Sequence, residues 1–273
     1  MKKMIFLDLD GTIRDFDGFI PDSAKEAVMA ARRNGHEVLI STGRPYFALK
    51  NLLPDMEFDG SITGSGSYVL YKEECLHHKF ITQFTYLSLC NYLLDHHCAF
   101  ELMTYKKTYL LRQCQKSYQK LSQKVTESIG EHAPRFAEFS PTLIDSPLDI
   151  HEIEKFFFFS ESLSLEEVKK HWGTCFYIVA SSLPCQGLIA GELSPAVVNK
   201  AEGIRAVLNK CDLGPEAVIA IGDSDNDIEM LDLAGCGIAM GNGNDSVKAV
   251  ADYITRPLKE DGLYHAFEYM GLI

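Results

Sequence analysis

Met4-Ile5-Phe6-Leu7-Asp8-Leu9-Asp10-Gly11-Thr12 is the stretch on which the architecture turns. Four apolar residues follow one another and stop at Asp8. A short continuous apolar run predicts a strand buried on both faces. A glycine-containing stretch leads from Gly11 through Gly18 to Pro21. Ala24, Ala27, Val28 and Ala31 then recur at i, i+3, i+4 and i+7, the apolar face of a helix. Ser23 and Glu26 stand at capping-box spacing ahead of it, and Gly35 is its expected stop. Glu37 to Ser41 predicts a second strand, which runs out at Thr42-Gly43-Arg44-Pro45. Pro45 suits the first turn of another helix, and Asp59 to Thr63 predicts a third strand.

The C-terminal part repeats this rhythm. Ile204, Val207, Leu208 and Cys211 form a helical stripe after Lys200. Ala217 to Ile221 is an apolar strand that gives way to Gly222-Asp223. Ile228, Met230 and Leu231 fall on the next helix. Gly237 to Met240 predicts a further strand, and Asn244 to Ala251 a further helix. Strand–helix alternation of this kind predicts an α/β fold with a mostly parallel sheet covered on both faces. Between about Thr82 and Ala190 the rhythm halts. Strands are expected at Tyr105 to Leu111, Phe156 to Phe159 and Phe176 to Val179, with helices at Ser117 to Ile129 and Ser164 to His171. The expected organisation is a core of residues 1–82 and 191–273, interrupted by an α+β insertion of residues 83–190.

Composition bounds the function. The chain has 273 residues, 46% of them hydrophobic, which is ordinary for a folded globular protein. Its formal net charge is −12, against a general nucleic-acid partner, which needs a basic footprint. No apolar run reaches membrane-span length, and Asp8 and Asp10 break the run that a secretory signal would need. The eight cysteines (Cys75, Cys90, Cys98, Cys114, Cys175, Cys185, Cys211 and Cys236) include no C-x-x-C pair and do not cluster like zinc ligands. They read as reduced thiols of a cytoplasmic protein.

Ligands of open α/β sheets bind beyond the carboxyl ends of the strands. The polar residues expected there are Asp8 and Asp10, Thr42, and Asp223 with Asn226 and Asp227. Carboxylates gathered at one point repel one another unless a cation joins them. Few, hard oxygen ligands favour Mg²⁺, and Lys200 can add a positive charge. Such a set suits phosphoryl transfer. One carboxylate attacks phosphorus, and a second two residues on serves the leaving oxygen and then water.

These residues fall into four ordered motifs. Asp8-Leu9-Asp10-Gly11-Thr12, Ser41-Thr42-Gly43-Arg44, Asn199-Lys200-Ala201-Glu202-Gly203-Ile204 and Gly222-Asp223-Ser224-Asp225-Asn226-Asp227 together resemble the haloacid dehalogenase (HAD) superfamily. The long insertion between the second and third motifs resembles the Cof-type subfamily with a C2B cap. The resemblance implies a Rossmann-like core and a Mg²⁺-dependent phosphatase acting on a small phosphorylated metabolite. It implies Asp8 as nucleophile and metal ligand. It implies Asp10 as general acid/base, its backbone carbonyl also on the metal, and Asp223 as the remaining metal ligand. Leu9, Thr42, Gly43, Lys200 and Asn226 are the implied phosphate contacts. Asp227 would orient Lys200 or the metal shell, and Arg44 would either recognise substrate or pair with an acid. The insertion is large enough to close over a small molecule. Thr63-Gly64-Ser65-Gly66-Ser67 departs from the family, which often has asparagine where Ser65 stands.

Other readings of the same residues are a phosphotransferase or phosphomutase, and a non-catalytic phosphate-binding regulator. The adjacent pairs His77-His78 and His96-His97 read as surface or loop residues, because neighbours on an element point apart. Asp225 reads as a helix cap, and Glu101 and Arg112 as candidate specificity residues of the insertion.

Overall fold

A computed structural model describes residues 2–129, 141–180 and 187–273. The elements in chain order are β1 (Met4–Leu7), α1 (Asp22–Arg33), β2 (Glu37–Ser41), α2 (Tyr46–Leu52), β3 (Gly60–Thr63), β4 (Tyr68–Tyr71), β5 (Glu74–His78), α3 (Gln83–Asp95), β6 (Ala99–Met103), β7 (Thr108–Leu111), α4 (Gln115–Ile129), β8 (Thr142–Ile144), β9 (Lys155–Ser160), α5 (Leu165–Trp172), β10 (Phe176–Ala180), β11 (Ile189–Pro195), α6 (Lys200–Cys211), β12 (Val218–Gly222), α7 (Ile228–Leu233), β13 (Cys236–Ala239), α8 (Asp245–Val250), β14 (Tyr253–Ile254) and α9 (Gly262–Tyr269). The chain divides into two compact units, residues 1–78 with 199–273, and residues 79–198.

The first unit carries a sheet in the order β14-β13-β12-β1-β2-β3-β4-β5. From β14 to β3 the pairing is parallel. β1 lies between β2 and β12, and every one of its residues is buried. That placement explains its unbroken apolar run. Leu7 pairs with both Ile40 and Ile221. The carboxyl ends of the three strands are therefore level, and Asp8 donates its backbone N–H to Ile221 O at 2.9 Å. Chain direction along the sheet reverses here, so β1 marks the switch point where α/β sheets bind ligands.

The far edge departs from the parallel expectation, because β3, β4 and β5 pair antiparallel. Lys72 and Glu73 form the two-residue turn between β4 and β5, with φ of 47° and 67°. Two positive φ values in a two-residue hairpin loop match the twist of the strands, but such turns normally show Asn-Gly. Glu73 is exposed. Glu73→Gly is expected to raise the free energy of unfolding by about 0.5–1 kcal/mol. The gain should appear as a higher urea midpoint at unchanged slope, and a lower midpoint contradicts it.

Two other sequence expectations change. Pro21, not a Ser23–Glu26 capping box, precedes α1 without a side-chain cap, and the Ser23 hydroxyl donates instead to Asp261 at 2.5 Å. Ser224 is the N-cap at the fourth motif, boxed with Asp227. Asp225 instead accepts from Asn244 at 2.8 Å and from the Ser246 hydroxyl.

The second unit holds a sheet in the order β10-β11-β9-β6-β7-β8. β9 lies between β11 and β6, and all of Lys155–Ser160 is buried, so the four phenylalanines face the interior on both sides. β11 had no counterpart among the expected strands. Its pairing with β10 runs to Pro195↔Phe176, so the expected boundary at 190/191 falls inside it and the unit extends to residue 198. Glu101 lies inside this unit's core. Tyr118 donates a short hydrogen bond to it, and burial pushes the Glu101 carboxyl up to about 7. Arg112 forms an exposed pair with Asp145 at 2.7 Å. Cys75, Cys90, Cys98, Cys114, Cys175, Cys211 and Cys236 are free; Cys185 lies outside the described residues. Among the described residues no helix is long and apolar enough to cross a membrane.

Candidate active site

The site assembles where β1, β2 and β12 end. Asp8 follows β1, Thr42 follows β2 and Asp223 follows β12. The parallel register brings these residues together from positions up to 215 apart in the chain (223 − 8). Lys200 opens α6, whose N-cap Asn199 accepts from Glu202 N–H at 2.8 Å. The cap fixes where the helix begins and so where the lysine projects.

Lys200 is fully buried and donates to Asp8 Oδ1 at 2.6 Å and to Asp227 Oδ1 at 2.5 Å. Asp227 Oδ2 accepts from the N–H groups of Asp223 and Ser224, each at 3.0 Å. Both oxygens of Asp227 are thus engaged in holding Lys200 and the fourth motif. Carboxylate oxygens of Asp8, Asp223 and Asp227 lie within 4.8 Å of one another.

Three buried carboxylates face one ammonium, and the charge imbalance shows in their proton affinities. Burial, opposed by Lys200 and reinforced by Asp227 and Asp10, pushes the Asp8 carboxyl up to about 7. Burial, then Asp8 and Asp227, push Asp223 up to about 9. Burial works against the charge on Lys200, but Asp227 and Asp8 outweigh it and hold its pKa above the usual lysine value. A divalent cation relieves this imbalance directly. Asp223 Oδ1 is buried with no hydrogen-bond partner among the described residues. An orphaned buried carboxylate oxygen is costly alone and is what a metal ligand looks like without its metal. The donor set, hard oxygens at a partly charged-balanced point, fits a hard cation.

The turn after β1 is tightly built around this cluster. Gly11 has φ of 93°, and a Cβ there would sit 2.2 Å from Asp223 Oδ2. Glycine is therefore required both by conformation and by the approach of the carboxylate. Leu9 is buried, and its carbonyl accepts from Ile13 and Arg14 N–H at 3.0 and 2.9 Å. Thr42 is buried, donates its N–H to Ile62 O at 2.8 Å, and accepts from Arg44 N–H at Oγ1. That leaves its hydroxyl proton to donate. Asn226 accepts from the Ser224 hydroxyl at 3.0 Å. Gly43 lies between Thr42 and Arg44 in the same loop.

Asp10 takes a different partner from Asp8. Its carboxylate is held by Arg44, with Nε donating to Oδ2 at 2.7 Å and Nη2 to Oδ1 at 3.1 Å. Of the two roles left open for Arg44, the structure shows the acid pair. Arg14 also reaches Asp10 Oδ1, at 3.4 Å. The Arg14 contact escaped the sequence reading, since i,i+4 pairing is a helix rule and this segment is a turn. Asn242 escaped it too as a side chain, though Gly241 to Gly243 reads as a turn near the site. Its amide donates to Gly11 O at 2.8 Å and accepts from Leu258 N–H at 2.7 Å, tying the β1 turn to the loop after β13.

An α/β sheet with an acidic cluster at its switch point, on these four motifs, defines a hydrolase of the haloacid dehalogenase type. The profile of the haloacid dehalogenase-like hydrolases matches residues 5–267, and the chain belongs to that family. It is a phosphatase of the Cof type, as the motifs and insertion suggested. Among its relatives is the 5-amino-6-(5-phospho-D-ribitylamino)uracil phosphatase YitU of Bacillus subtilis (strain 168), 28% identical over 98% of each chain. Phosphatase YwpJ of the same organism is 24% identical over 98% of this chain and 99% of its own. The solved structure of the HAD subclass IIB sugar phosphatase BT4131 superposes with a TM-score of 0.80, at 25% identity over the whole of both chains.

Proposed function

We propose that the protein hydrolyses a small phosphomonoester, a sugar phosphate or similar metabolite, with Mg²⁺ and through an aspartyl-phosphate on Asp8. The observation that carries this reading is the convergence of Asp8 and Asp223 on one buried point beside Lys200, with Asp223 Oδ1 left unsatisfied. Asp8, Asp223 and the Asp10 backbone carbonyl would hold the ion. When bound, it would balance the charge of the carboxylates and the phosphoryl oxygens.

Lys200 holds one oxygen of Asp8; the other attacks phosphorus. An oxygen–phosphorus bond forms at Asp8 as the bond to the leaving oxygen breaks, and Asp10 gives that oxygen its proton. Asp10 then takes a proton from water, which attacks phosphorus and releases Asp8 and inorganic phosphate. The Thr42 hydroxyl, the Gly43 and Leu9 backbone amides, Lys200 and Asn226 bind the phosphoryl oxygens. Preorganised donors of this kind supply much of the rate enhancement in such transfers. Asp227 orients Lys200. YitU is a phosphatase of a phosphorylated ribityl compound and BT4131 a sugar phosphatase, which supports the substrate class. The free cysteines among the described residues support a reducing, cytoplasmic location.

Phosphate release from a panel of phosphorylated metabolites, with and without Mg²⁺, tests the activity itself. Asp10→Asn tests the acid. It is expected to slow alkyl phosphates by about 10²–10⁴-fold. In kcat/KM, which reads the first, bond-breaking step, p-nitrophenyl phosphate should suffer much less, because its leaving group needs little protonation. Equal losses on the two classes contradict the role given to Asp10.

A further inference from the structure

We infer that Arg44 is a positioning residue for the proposed acid/base, aiming the Asp10 carboxyl through a two-point fork; this rests on the reading of Asp10 above. The fork engages both carboxylate oxygens, at 2.7 and 3.1 Å. Two parallel N–H···O bonds fix the plane of a carboxylate as well as its place, which a single point charge cannot do.

Arg44 is itself anchored. Its N–H donates to Thr42 Oγ1 at 3.1 Å and its carbonyl accepts from Gly64 N–H at 2.9 Å. The loop after β2 is thereby tied to the loop after β3, and the guanidinium reaches from this framework to the turn after β1. The Asp10 side chain retains 17% of its exposure and that of Arg44 28%, so the pair is shielded more than an ordinary surface bridge. Arg14 adds a longer contact to Oδ1 from the opposite end of the same turn. Asp10 stands beside Gly11, whose φ is 93°, in the turn that follows β1. A proton-transfer group misplaced by about 1 Å loses much of its effect.

The test uses the full-length protein and two esters that differ in leaving group, phenyl phosphate and p-nitrophenyl phosphate. Arg44→Lys and Arg44→Gln are made alone and combined with Asp10→Asn, and thermal melting verifies that each variant folds. Each single variant is expected to lose about tenfold in kcat/KM on phenyl phosphate, with a smaller loss in kcat/KM on p-nitrophenyl phosphate. Lysine should not rescue, because it cannot form the fork. In the Asp10→Asn background neither change should cost more. A loss that persists without Asp10 means that Arg44 acts on the substrate, and it overturns the inference. So does a lower melting temperature with no dependence on leaving group. If Asp10→Asn itself shows no such dependence, the reading of Asp10 fails and the inference with it. A dependence present for Asp10→Asn and absent for the Arg44 variants overturns the inference alone.

Discussion

Asp8→Asn is expected to lower kcat by at least about 10⁴-fold while the protein stays folded. An amide oxygen is neutral and does not displace an alkoxide from phosphorus, so the first bond cannot form. The substitution is nearly isosteric and removes a carboxyl that burial and two other carboxylates already disfavour as an anion. The variant therefore sheds an electrostatic burden even as Lys200 exchanges one anionic acceptor for a neutral amide oxygen. Asp227 still holds the ammonium, at 2.5 Å. Activity and stability should separate. Phosphate release falls to background, and the denaturation midpoint stays near that of the parent. Retained turnover would rule out Asp8 as the attacking group.

Lys200→Met carries the second large effect, and it falls on stability as well as rate. The ammonium is the cation shown among the three carboxylates, and its side chain is fully buried. Removing one partner of a buried charge set typically costs about 3–5 kcal/mol. Loss of the donor proposed for the phosphoryl oxygens should also lower kcat by about 10²–10³-fold. The destabilisation has a pH signature. Asp8 and Asp223 have folded pKa values of about 7 and about 9, above the ordinary 3.8. Between those limits the native state binds more protons than the unfolded chain, so stability falls as pH rises through each folded value. Without Lys200 the fall should be steeper. On the proposed function Mg²⁺ would bind only the folded arrangement, and adding it should restore part of the loss by mass action. Urea titrations at two pH values, with and without Mg²⁺, measure all of this. A variant as stable as its parent without Mg²⁺ would show that Lys200 is not the counter-charge.

How much of this could be read in the chain follows from the kind of signal each element leaves. β1 and β2 match their expected bounds because both are buried on two faces and end where polar residues begin. Asp8 and Thr42 at their ends are legible for the same reason, since a polar residue at the end of such a strand stands out. The β4–β5 hairpin was silent because its turn is Lys72-Glu73 and carries no glycine or asparagine. β11 was silent because Gly191 and Glu192 break its apolar texture, although it pairs on both sides, with β9 and β10. Gly191 is there because a Cβ would meet Phe158 Cε1 at 2.4 Å, a contact no local pattern records. In the site, the Lys200–Asp227 and Asp10–Arg44 pairs join residues 27 and 34 positions apart. Spacing can nominate such residues, but only the sheet register decides which of them meet.

The most direct test uses Asp10→Asn with p-nitrophenyl phosphate. This ester leaves without help, but the variant lacks the base that activates water, so the covalent species should accumulate. Rapid acid quench followed by peptide mass mapping is expected to find one phosphoryl group on Asp8, matched by a burst of p-nitrophenolate. Linear product release from the first turnover, with Asp8 unmodified, would contradict the account.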